Sequence, residues 1–298
     1  MLTSPNFWMG LAGLVYLIAG LLLFRKEIGT ARGWDKLIAL APIFIAVSLA
    51  VFAPEHFRGP EFVLDSVPSY MPWRPFWMYF VGCALIAAAT SFTARKLVRV
   101  SSALLGVMFL LFVCMIFLPG AFSDPKDRFG WAFVLRDLSF SAGAWALAAV
   151  HNRATFPRKS QWITVVARMA IAIAAIYYGV AQILHPEFVP GVALEKIMPA
   201  WVPLHGVLGY PAGTILLFAG LALILNQRAR AAAAAIGAVM TALTLYPYLF
   251  MLIHALGGPA ADITEGLNYV ADTLLYAGSA LALASALPRW QDRLAKTM

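Results

Sequence analysis

Apolar residues fall along this chain in nine long blocks, and the polar stretches between them hold nearly all of the charge. The blocks cover approximately 6–24, 36–53, 75–94, 98–119, 130–151, 162–184, 204–225, 231–256 and 266–286. Each is about long enough to cross roughly 30 Å of hydrocarbon as a helix. In lipid, backbone N–H and C=O groups must be satisfied within the segment, so continuous runs of this kind are read as helices. The pattern predicts an all-α integral membrane protein with nine transmembrane helices. The first run lacks a basic start and a small-residue cleavage site, so it is read as a retained helix and not as a signal peptide.

The polar stretches carry an internal repeat. HFRGPEFVLDSVPSYMPW, from His56 to Trp73, and HPEFVPGVALEKIMPAWVP, from His185 to Pro203, share a His, then Glu-Phe-Val, then Pro-x-aromatic-x-Pro. Aligned on that order, Gly82 meets Gly213, Gly106 meets Gly237, Asp137 meets Asp272 and Gly143 meets Gly278. A repeat of this length implies a duplicated structural unit, a common way of building membrane proteins. The predicted architecture is one helix plus two parallel four-helix-bundle repeats. Residues 1–32 form the extra helix and its loop, 33–151 the first repeat, 152–159 a basic linker, 160–288 the second repeat and 289–298 a basic tail.

Composition supports that reading and the charges orient it. The chain is 62% hydrophobic and 12% charged, far from the balance of a soluble domain. Its net charge of +8 lies in short clusters between apolar runs, which points to membrane topology and away from a nucleic-acid partner. Arg25, Lys26, Arg32, Lys36, Arg95, Lys96, Arg99, Arg153, Arg158, Lys159, Arg228, Arg230 and the tail mark one side. Glu55, Glu61, Asp65, Asp124, Asp127, Glu187, Glu195, Asp262 and Glu265 mark the other. The positive-inside rule makes the first side cytoplasmic, with the N-terminus outside and both repeated loops facing outward, in a bacterial-type inner membrane. Cys83 and Cys114 sit inside apolar runs without CxxC spacing, which reads as two buried, inert thiols and no metal site. The stretch 229–238 is rich in small residues, the usual mark of close helix packing.

The helix ending at H-F or H-P, the Pro-x-Tyr/Trp-x-Pro segment, the glycine in the following helix and the acid near the start of the last one resemble the DoxX-like membrane proteins, whose unit is a four-helix bundle. The resemblance covers about 33–151 and 160–288, and the first helix stands outside it. It implies the four-helix fold, and it implies an association with thiosulfate:quinone oxidoreductase subunits, oxidative-stress complexes, or assembly and cargo factors. A quinone is the cofactor it suggests, with a soluble or membrane redox partner.

Candidate chemistry follows from ionisable residues inside apolar runs, which are costly in lipid and are functional candidates by default. Asp137 and Asp272 are expected about two turns inside their helices, roughly 10 Å from the outer end. His56 and His185 end the first helix of each repeat and could meet those aspartates as a proton relay. The structural alternatives are a His bonded to a helix carbonyl and an Asp satisfying loop amides. Arg136 has no counterpart in the second repeat, where Ala271 stands; it is expected to reach Glu61 or Asp65, or the surface. Tyr70, Glu187, Trp201, Tyr246, Tyr248, His254 and Asn268 are candidate ligand-binding residues, with Pro247 loosening the helix between the two tyrosines. No Walker loop, GxGxxG, HExxH or CxxCH is present. Three function classes remain: a quinone-linked redox or proton-relay component, a binding or transport protein for a small hydrophobic ligand, and a membrane-protein assembly factor.

Overall fold

The computed structural model describes residues 4–58, 60–192 and 195–288; the basic tail 289–298 lies outside them. Among the described residues the chain is all-helical, with one isolated antiparallel bridge between Phe188 and Ile197. The long helices are α1 Pro5–Leu23, α2 Trp34–Arg58, α3 Arg74–Ala94, α4 Val98–Ser123, α5 Arg128–Asn152, α6 Pro157–Leu184, α7 Gly209–Ile224, α8 Ala229–Ala255 and α9 Ala260–Ala286. Seven of these, all but α7 and α9, are long and apolar enough to cross a membrane. Helix α7 has only 16 residues, and α9 has 27 but carries Asp262, Glu265 and Asp272.

Several helix starts are set by local chemistry. Proline occupies the first turn of α1, α3 and α6, where its missing N–H costs nothing. The Asp127 carboxylate caps α5 by accepting from the Phe129 and Gly130 amides at 2.9 and 3.0 Å. Two boundaries differ from expectation. Helix α7 begins at Gly209 and not at 204, because Leu204 and Gly206 take positive φ values and turn the chain first. Helix α9 begins at Ala260 and not at 266, so the polar stretch 260–265 continues the helix.

Helix α9 forms the centre, with nearly every residue from Ala271 to Ala286 buried. It packs on α8, on α5 and on α2, while α5 packs on α4, α6 and α9. Each of these two helices therefore lies against the first long helix of the other half of the chain. Helix α1 lies on α2 and α3 and is tied to α9 where Asn6 Nδ2 donates to the Ala260 carbonyl at 2.7 Å.

The two halves share backbone irregularities at one constant offset in residue number. A π-helical turn interrupts α4 at Val113–Phe117, and at the matching place α8 is broken by a kink within Thr244–Tyr248, where Tyr246 before Pro247 takes an extended conformation (φ -150°, ψ 119°). Positive φ values at Trp73, Arg95 and Leu97 recur at Leu204, Asn226 and Arg228. Such conformations are uncommon for residues other than glycine, so their matched recurrence carries weight. The expectation of buried thiols fails: Cys83 and Cys114 are free and exposed on the outer surfaces of α3 and α4, because an apolar run in a membrane helix turns much of its circumference to lipid.

Candidate functional site

Close approach of α5 and α9 creates the site. At Gly143 an added Cβ would lie 2.3 Å from Ser279 Cβ, so only glycine allows the two backbones to meet there. About two turns before this contact along α5, Arg136 turns towards α9. Its Nη1 donates to Asp272 Oδ2 at 3.1 Å, and its Nε lies 3.4 Å from Asp137 Oδ1. The side chains are 16%, 12% and 5% exposed for Arg136, Asp272 and Asp137, so all three charges are largely withdrawn from the surface. Phe133, Phe117 and Phe140 surround the guanidinium, which lies 5.0, 5.6 and 5.9 Å from their ring centres. These ring faces offer part of the stabilisation that water would otherwise give.

This arrangement corrects the reading of Arg136. Glu61 and Asp65 are both exposed, and Arg136 reaches neither; it joins the aspartates of the two halves instead. Asp272 also lies deeper than expected. Twelve residues separate it from the start of α9, about 18 Å at 1.5 Å per residue, which places it near mid-helix. Buried tyrosines wall the cluster: Tyr178 donates to the Ala132 carbonyl at 2.8 Å, and its ring meets that of Tyr276 edge-on at 5.8 Å.

A polar file along α9 leads from this cluster towards the N-terminal end of the helix. Asn268 lies one turn before Asp272 on the same face, and its Nδ2 donates to Oε1 of buried Glu55 at 2.9 Å. Tyr269, the next residue after Asn268, donates to Glu195 Oε1 at 3.3 Å, and about one turn nearer the helix start Lys196 pairs with Glu265. Both partners belong to the second repeated loop, which therefore lies over the N-terminal half of α9.

The histidines stand apart from the aspartates. His56 Nδ1 lies 3.1 Å from the Phe52 carbonyl within its own helix, and His185 Nδ1 lies 3.4 Å from Glu187 Oε1 at the surface. The expected His–Asp relay is thus not assembled; each histidine takes the local partner that a helix end offers. The ligand-binding candidates divide among several places. Trp201 and His254 stack at 4.0 Å, with Phe250 and Tyr246 beside them, in a partly exposed aromatic patch. Tyr248 is 2% exposed and lies under Gly191, and its ring is 6.0 Å from that of Tyr269. Asn268 belongs to the polar file, Glu187 stays with His185, and Tyr70 is 69% exposed on the first loop.

No family model, curated protein or solved structure matches the chain. Its function is therefore argued from the site alone. Among the described residues no group of three or more His, Cys, Asp and Glu side chains is arranged to hold a metal ion. The members that sequence reasoning missed are the bridging role of Arg136, and Glu55 as the partner of Asn268. The four-residue spacing of Asn268 and Asp272 was the available signal for the second.

Proposed function

We propose that this chain is a multi-pass inner-membrane protein of duplicated DoxX-like four-helix units, nine spans in all, acting as a proton-relay component for quinone-linked redox chemistry at the outer face. The observation that carries the reading is the charge balance of the bridge: two carboxylates share one guanidinium, so the cluster has room for one further positive charge. A proton is the smallest such charge, and the file through Asn268 and Glu55 leads towards the face where a quinol would release protons. The matched positions of the helix interruptions in α4 and α8 and of the positive-φ residues, and the packing of each last helix on the other half's first helix, support the duplication. The resemblance supplies the quinone, and electrons would pass to a redox partner.

Infrared titration of the protein in nanodiscs tests this. A protonated-carboxyl band should titrate in the wild type, should lose intensity in Asp272→Asn, and should shift when a short-chain ubiquinone is added. A titrating spectrum that Asp272→Asn leaves unchanged would remove the relay; a band lost in Asp272→Asn but indifferent to quinone would remove only the quinone. The stacked Trp201 and His254, with Tyr246 and Phe250, favour a second reading, binding of a flat hydrophobic molecule without chemistry.

A further inference from the structure

A groove of about 1050 Å³ opens between α7 and α8 at the cation-rich end of the bundle, far along the chain from the aspartate cluster. Phe218 of α7, Ala231 and Ala235 of α8, and Trp34 of α2 line it, and Asn226 and Arg228 stand at its turn. Phe218 is 66% and Trp34 52% exposed, so the walls are apolar and open outward. Among the described residues Arg228 has no acidic partner. The neighbouring cation Arg230 is already held by Asp35 at 2.6 Å.

The first half shows why the feature is confined to one place. There the same turn carries Arg95, Lys96 and Leu97; Arg95 pairs with Glu27 and stacks on Phe24 at 4.9 Å, and an apolar side chain stands where Arg228 does. Among the described residues, the second turn joins a guanidinium that has no acidic partner to an apolar trough of ligand size.

We propose that this groove binds one anionic phospholipid, its acyl chain on the alanines of α8 and its phosphodiester at Arg228. Charge complementarity selects this occupant. The chain's own tail carries Arg289, Arg293 and Lys296 and would meet like charge at the turn. A zwitterionic lipid fills the same volume without the excess negative charge, and one basic residue near a membrane surface is worth about five-fold in anionic-lipid binding.

Native mass spectrometry of the detergent-solubilised chain, given equimolar phosphatidylglycerol and phosphatidylcholine, tests the proposal. The expected result is one retained phosphatidylglycerol, favoured about five-fold. Arg228→Gln should remove the preference, Ala231→Trp should lower retention of both lipids, and Lys159→Gln should change neither. Equal retention of the two lipids by the wild type would overturn the site, as would equal effects of Arg228→Gln and Lys159→Gln, or retention untouched by Ala231→Trp. A dimer mass abolished by Ala231→Trp would assign the groove to a second copy instead.

Discussion

The two repeated loops begin with the same residues and fold differently. The first runs through the short helices Glu55–Arg58 and Pro60–Ser66 and leaves Tyr70 and Trp73 on the surface, Trp73 at 81% exposure. The second has no helix among its described residues. Pro186 and Pro190 deny it the amides of a continuous ladder, and Gly191 turns it at φ +112°. Its own Val189, Val192, Met198 and Val202 are buried, and Lys196 and Glu195 fasten it to α9. Similar motifs can thus make an interfacial flap in one half and a plug in the other. The cation of the buried bridge shows the reverse asymmetry, since it comes from the first half alone. The halves share the positions of their backbone irregularities and divide the charges of the bridge between them.

The largest test of that division is Arg136→Leu. It leaves Asp137 and Asp272 without their shared cation, and loss of one partner from a buried pair costs about 3–5 kcal/mol. Thermal unfolding in detergent should show a large fall in Tm, part of which Asp272→Asn in the same chain restores; an unchanged Tm would mean that the bridge contributes nothing to folding.

An intermediate effect is expected at the paired glycines of α5 and α9. Gly143→Ala drives a methyl into Ser279, including its Cα at 2.4 Å, whereas at Gly278 the nearest atom is Ile45 Cγ1 at 2.9 Å. Overpacking of this kind costs about 1–3 kcal/mol. Gly143→Ala should be the more destabilising of the two by chemical unfolding, and the reverse order would contradict the close crossing of α5 and α9.

The smallest effect belongs to the loop clasp. Lys196 and Glu265 are 28% and 41% exposed, so their pair is worth at most about 1 kcal/mol. Lys196→Ala should leave Tm nearly unchanged yet hasten limited proteolysis within 186–203 relative to 57–72. Equal cleavage of the two loops in the wild type would erase the contrast between them.

The sequence made the helices legible because long apolar runs have one stable backbone state in lipid, and the repeat was inferred from residues that are sparse in such runs. It hid the ends of α7 and α9, where polar residues 260–265 remain helical and 204–208 form turns. Arg136 was misread because its partner lies on a helix more than a hundred residues away, brought near by the contact of Gly143 with Ser279. The His–Asp pairing was inferred from shared loops, but a helix-end histidine had a closer carbonyl or carboxylate available. The exposure of Cys83 and Cys114 shows that hydropathy identifies a membrane helix without telling its lipid face from its protein face.

The wide turn in α4 acts as an angular gear. It lets the helix beyond it present a different side from the one a regular spiral would give, and one residue corresponds to about 100° of rotation. Shortening the turn at Val113–Phe117 by a single residue would swing Phe117 off the Arg136 guanidinium. A deletion on α4 would thus be felt first by a side chain of α5.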